Sequence, residues 1–255
     1  MLDSFPINKI FLELFETGIR RLPDGCIDLI LTDPPYGVTD CSWDVRPDLG
    51  FMWKEFNRVL KPNGAAVITA TQPFATDLIN ANRKWFRYDL VWVKSNPVGF
   101  LNSHKMPMRQ HELVLVFYRR LPTYNPQMIA SAPRVSRALK EVQNREGGVY
   151  RKTKKLSYDH EGHYPTSILP FKKDGAGKNR HPTQKPVELF EYLVKTYSKP
   201  GEIVLDPFMG SGTTAIASLH TDRAYIGFET DKKYLDLANT RIQEQAFSEN
   251  NVQTR

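Results

Sequence analysis

Apolar positions follow two alternating rhythms at the ends of this chain and none in its middle. Ile27-Asp28-Leu29-Ile30-Leu31-Thr32 is a near-continuous apolar run, which predicts a buried strand. Phe51, Trp53, Phe56, Val59 and Leu60 recur at helical spacing and stop at Lys61-Pro62-Asn63-Gly64, which predicts a helix ended by a breaker. Ala65–Thr71 reads as a strand, and Pro73 opens a helix running to about Arg83. Tyr88–Val93 and Leu113–Tyr118 are β-branched and aromatic, as strands are, and Ile7–Leu12 is a further strand candidate.

Regularity returns after residue 180. Pro186 starts a helix that reaches about Tyr197 and ends at Pro200-Gly201. Ile203–Leu205 and Tyr225–Phe228 are strands, Thr213–Leu219 begins a helix, and Lys232–Gln245 is a closing helix. There are no internal repeats. Strands alternating with helices predict an α/β fold.

The aperiodic middle, residues 119–180, holds 14 Lys or Arg against 5 Asp or Glu, a net of +9, in a chain whose total is +7. The rest therefore sums to −2. Prolines, glycines and tyrosines are interleaved with the basic residues, and loops with one or two short helices around 134–145 are expected. A basic segment on a near-neutral body is the footprint of a nucleic-acid-binding insert, with a solvated surface loop as the alternative.

A chain of 255 residues with 40% hydrophobic content can bury a full core. No apolar run reaches membrane-spanning length, and no secretory leader is read at the N-terminus. Cys26 and Cys41 form no metal pattern or disulfide framework, which points to a reducing, cytoplasmic setting.

The strand at 27–32 runs into Asp33-Pro34-Pro35-Tyr36. The carboxyl ends of strands are where open α/β sheets bind ligands. Asp33 can accept a hydrogen bond from an exocyclic amine, Pro34 offers a carbonyl with no competing N–H, and Tyr36 can stack on a flat ring. A plain strand exit with a helix-breaking proline pair is the alternative. A second motif, Asp206-Pro207-Phe208-Met209-Gly210-Ser211-Gly212-Thr213-Thr214-Ala215, lies between strand and helix and contains a GxGxxA fingerprint. Glu229 ends the next strand, 17 residues after Gly212, at a spacing suited to a ribose diol. A nicotinamide dinucleotide and S-adenosylmethionine both carry such a ribose. Asp206 would repel a pyrophosphate but could bind a methionine ammonium, which favours S-adenosylmethionine.

With both motifs in place the chain resembles the amino-methyltransferases of DNA, and within them the β-type adenine-N6 group of bacteria and their phages. Asp33-Pro34-Pro35-Tyr36 is similar to the catalytic motif, and Asp206 to Thr214 to the motif at the methionine end of the cofactor. His181-Pro-Thr183-Gln-Lys185-Pro186 resembles the cofactor-binding segment that precedes it. Arg58–Gly64, Trp92–Pro97 and His111–Phe117 are similar to sheet segments of the family. The resemblance implies a permuted, Rossmann-like methyltransferase fold, with a mostly parallel twisted sheet, helices on both faces and a basic insert. Residues 1–118 would be the catalytic half, 119–180 the target-recognition region, and 181–255 the S-adenosylmethionine-binding half packed with the first.

By that resemblance, Asp33, Pro34, Pro35 and Tyr36 would receive an adenine flipped out of DNA. His181, Thr183, Lys185, Asp206, Pro207, Phe208, Gly210, Ser211, Gly212, Thr213, Thr214 and Glu229 would hold the cofactor. Arg151, Lys152, Lys154 and Lys155 would contact phosphates, setting affinity more than sequence. DNA is the implied partner and no membrane is. Relatives often dimerise, and a restriction endonuclease counterpart, or an orphan enzyme without one, fits equally. Cytosine-N4 methylation is the nearest alternative, where relatives more often carry Ser at the position of Asp33. Protein glutamine methylation goes with an Asn-Pro-Pro-Tyr motif, and a dehydrogenase is disfavoured by Asp206-Pro207. One departure stands out. Many relatives carry Gly-Asp after the first strand to contact the cofactor adenine, and here that stretch is Leu12-Glu13-Leu14-Phe15-Glu16.

Overall fold

The computed structural model describes residues 5–37, 41, 44–129, 162–172 and 184–252. In chain order the elements are β1 (Lys9–Leu12), α1 (Phe15–Gly18), β2 (Ile27–Thr32), α2 (Leu49–Val59), β3 (Leu60–Ala70), α3 (Phe74–Ala81), β4 (Phe86–Val98) and β5 (Arg109–Tyr118). They continue with β6 (Ile168–Leu169), α4 (Val187–Tyr197), β7 (Ile203–Asp206), α5 (Thr213–Leu219), β8 (Ala224–Glu229) and α6 (Lys232–Val252). The strands form one sheet in the order β1-β8-β7-β2-β3-β5-β4-β6. Among the described residues, only β5 runs against its neighbours. By compactness Met1–Asn125 with Ser167–Arg255 make one unit, which carries this sheet, and Pro126–Thr166 make a second, in which Ile129 and His163 form a β-bridge.

Strand periodicity builds the two layers around the sheet. Ile30, Ala66 and Ile68 belong to the layer of α2 and α3, where Met52, Trp53, Phe56, Phe74 and Leu78 are buried. Leu29, Leu31, Ala65 and Val67 belong to the layer of α4, with Leu189, Phe190, Leu193 and Val194. Burying each of these large side chains contributes about 1.5–3 kcal/mol. Ile27 shares the layer of Ile30 despite an odd separation, because the register slips between Ile27 and Leu29.

That slip corrects the breaker expected at Lys61-Pro62-Asn63-Gly64. These residues lie inside β3, as the excess chain between the Ile27–Leu60 and Leu29–Ala65 pairs. Gly64 is required there, since a Cβ would stand 2.8 Å from the Asp28 carbonyl oxygen. Asp28 anchors the same end of β2, accepting from Lys61 Nζ at 2.7 Å and from the Ile203 N–H at 3.0 Å. Helix α2 starts earlier than its apolar stripe suggests, because Asp48 caps the N–H groups of Gly50 and Phe51. Where loops and short helices were expected, Ile168–Leu169 adds an edge strand beside Val91 and Trp92. Two residues are too few to show a period. The helices expected around 134–145 lie outside the described residues.

Candidate active site

Parallel neighbours β2 and β7 end side by side, and that adjacency brings the two sequence motifs together. Thr32 Oγ1, on the last residue of β2, donates to Asp206 Oδ1 at 2.6 Å across the gap. The turns that follow open into a cavity of about 720 Å³, a size suited to a small-molecule ligand with a ring beside it. Asp33, Pro34, Pro35 and Tyr36 form one wall. Asp206, Pro207, Phe208, Gly210, Ser211, Thr213 and Thr214 form another, and Lys185 and Glu229 also line it.

Asp33 sits at the centre of a polar network. Its Oδ1 accepts from Tyr36 Oη at 2.6 Å and Thr69 Oγ1 at 2.5 Å, and its Oδ2 from Lys185 Nζ at 2.5 Å. Lys185 also lies 3.3 Å from Glu112 Oε2, and Glu112 Oε1 pairs with Lys94. These last three side chains are each at least nine-tenths buried. Two ammoniums thus face two carboxylates, which is how buried charge is tolerated. Burial opposes the Lys185 ammonium, but the Asp33 and Glu112 carboxylates outweigh it and hold the lysine above its ordinary range. Burial pushes Glu112 up, and Lys185 and Lys94 more than reverse this, leaving it below the usual carboxylate range. Burial, with Asp33 next, raises the Tyr36 phenol, so this ring stays neutral and donates. The Tyr36 ring also packs on Phe74, with 5.5 Å between centroids.

The other wall is built from backbone. Gly210 and Gly212 have φ of 53° and 81°, values that glycine adopts freely. A Cβ at Gly212 would approach the Ala238 Cβ to 2.9 Å, so this glycine also seats α5 against α6. Glu229 Oε2 accepts from the Gly210 N–H, and its Oε1 from the N–H groups of Thr230 and Asp231. Glu229 thereby ties the glycine turn to the end of β8. Asp206 is 2% exposed and accepts from Thr32, Thr214 and the Phe208 N–H. Burial raises its pKa to about 6 against those hydrogen bonds.

Lys185, read from sequence on the cofactor side, contacts the Asp33 carboxylate. His181 and Thr183 lie outside the described residues, as do Arg151, Lys152, Lys154 and Lys155. Sequence reasoning passed over Thr32, Thr69, Lys94 and Glu112. The sequence carries little signal for Lys94 and Glu112, since β4 also holds Arg87 and Asp89, and β5 also holds Arg109, Gln110 and His111. Of the two acids after β1, Glu13 pairs with Arg21, away from the cavity lining. Glu16 lines the cavity, and its buried Oε2 has no hydrogen-bond partner among the described residues.

Residues 27–240 match a family model described as DNA methylase, of the N6/N4 group. The chain is 29% identical to the type II methyltransferase M.BglII of Bacillus subtilis, over 92% of this chain and 70% of that one. It is 30% identical to M.HinfI of Haemophilus influenzae, over 89% and 66%. Among solved structures it superposes on the M1.HpyAVI–SAM complex with a TM-score of 0.63 and 25% identity, covering 92% of this chain and 98% of that one. The PvuII DNA methyltransferase, cytosine-N4-specific, shares the fold with a TM-score of 0.67 at 16% identity, over 91% and 85%.

Proposed function

The chain belongs to the N6/N4 DNA methylase family, and from that premise we propose that it moves a methyl group from S-adenosylmethionine to N6 of an adenine flipped out of DNA. One observation carries the choice of amine and donor. An aspartate carboxylate at the end of β2 shares one cavity with a glycine turn at the end of the adjacent β7, and Thr32 and Asp206 join the two. Asp33, where cytosine-N4 relatives more often carry Ser, supports adenine.

The residues present suit S-adenosylmethionine. Glu16 offers a buried, unpartnered acceptor oxygen in the wall that Phe15 and Phe208 share, with their ring centroids 4.8 Å apart. An adenine amine is the donor it fits, and Glu16 then replaces the Asp of the relatives. Asp206 to Thr214 and Glu229 would hold the methionine and ribose portions. When bound, the sulfonium supplies an electrophilic methyl.

The chain's own part is to position and stabilise charge. Adenine N6 is a weak nucleophile, because its lone pair is delocalised into the ring. Asp33 Oδ2 and the Pro34 carbonyl would each accept one N6 hydrogen, freeing that lone pair and stabilising the positive charge as the methyl arrives, and the surplus N6 proton would then pass to Asp33 or to water. Tyr36 and Thr69 fix Oδ1, so the carboxylate does not rotate. Lys185 shares Oδ2 with the incoming amine and keeps Glu112 as its second carboxylate. Holding cofactor and base in one cavity would supply the proximity contribution. The basic segment 119–180 would bind the duplex backbone, which makes binding steeply salt-dependent.

Mass analysis of nucleosides after incubation with labelled S-adenosylmethionine and DNA tests the reading. N6-methyladenine is expected. N4-methylcytosine alone would overturn the base, and long-read sequencing of host DNA would then supply the recognised site.

A further inference from the structure

Strands β4 and β5 run out past the sheet as a hairpin whose residues 95–107 are all exposed. Its turn is closed by its own backbone hydrogen bonds. Gly99 adopts φ 91°, a short 3₁₀ turn spans Phe100–Asn102, and the Asn102, Ser103, Lys105 and Met106 N–H groups are all bonded within it. At its apex stand Phe100, 75% exposed, and Leu101, 87% exposed, with Met106 also exposed. A hydrogen-bonded turn that presents adjacent large apolar side chains to water marks an interaction surface. No Asp or Glu occurs from Ser95 to His111, whereas His104, Lys105, Arg109 and His111 do. The base of the hairpin is the Val98–Arg109 pair, and both residues line the acceptor cavity. Phe100 is thus two residues, at most about 7 Å of extended chain, from the cavity wall.

The geometry points to the Phe100–Leu101 apex as a wedge that enters the DNA stack beside the flipped adenine. This inference rests on the methyl-transfer reading above. Its occupant is duplex DNA, for two reasons. The apolar apex is flanked only by neutral or basic residues, and it is continuous with the cavity that receives the base. Flipping leaves a gap in the stack, and an apolar side chain filling it offsets the lost stacking. Lys105 and Arg109 would meet the phosphates on either side.

The test compares Phe100→Ala/Leu101→Ala with the unmodified protein on two short duplexes carrying the methylated site. One is fully paired, and the other has an abasic site opposite the target base. Both side chains are solvent-exposed, so folding should survive, and circular dichroism checks it. The expected result is a drop in kcat/KM of about tenfold or more on the paired duplex. Most of that loss should be regained on the abasic duplex, where the base is already unpaired. Equal loss on both duplexes, or none on either, overturns the wedge. A Phe100→Trp variant gives an independent reading, since its added emission should be quenched by the paired duplex. Unquenched emission, or an altered oligomeric state in the alanine variant, also overturns it. If the unmodified protein methylates neither duplex, the methyl-transfer reading fails and the wedge with it.

Discussion

The two walls of the cavity are made in different ways. The Asp33 wall is assembled from side chains on β2, β3, β4, β5 and the approach to α4, held by opposite charges. The Asp206 wall is one contiguous turn, shaped by two positive-φ glycines and backbone N–H groups on a carboxylate. The first depends on charge balance, which one substitution can upset at a distance. The second depends on backbone conformation, which a Cβ at Gly212 would strain.

The largest expected effect is on the charged wall. Asp33→Ala should lower methyl transfer roughly 100- to 1,000-fold while the protein still binds S-adenosylmethionine. Kinetics alongside calorimetry would show this, and parallel loss of cofactor binding would erase the distinction between the walls. Glu112→Gln should cost about 3 kcal/mol in denaturant unfolding, because Lys94 keeps a buried charge without its carboxylate. A neutral result would mean the two lysines are not held by charge balance.

Asp206 gives a pH signature to the other wall. Its folded pKa, about 6, lies above the ordinary 3.8, so the folded state holds the proton more tightly. Its contribution to stability therefore falls as pH rises from about 4 to about 6 and is flat beyond, by an amount on the order of 2–3 kcal/mol. Asp206→Asn should remove that slope from the unfolding free energy measured across the window. A smaller effect is expected of Gly212→Ala, about 1–2 kcal/mol from a strained φ and the contact with Ala238. Gly210→Ala meets nothing within 4 Å and should cost less stability.

This contrast also explains what could be read from the chain. The β2 run, the Asp33 tetrapeptide and the glycine turn are contiguous, so their physics is written in neighbouring letters. The network around Asp33 is not. Thr69, Lys94, Glu112 and Lys185 are far apart in sequence and meet only because β5 enters antiparallel between β3 and β4. Lys185 was read with its neighbours in sequence, although its partner stands 152 positions away. The choice between Glu13 and Glu16 likewise needed the turn of α1, which leaves one acid paired with Arg21 and the other lining the cavity.

The Thr32–Asp206 hydrogen bond has a mechanical consequence. It spans neighbouring strands of a continuous ladder, so the walls cannot swing apart like jaws without tearing the sheet. The part of the rim near Tyr36 carries the exposed Val45 and Arg46, and Arg46 is moored to Asp77 and to the Tyr36 carbonyl. With the walls fixed, any change in access has to come from rim side chains such as Arg46, where a substitution would alter entry and exit without touching a reacting atom.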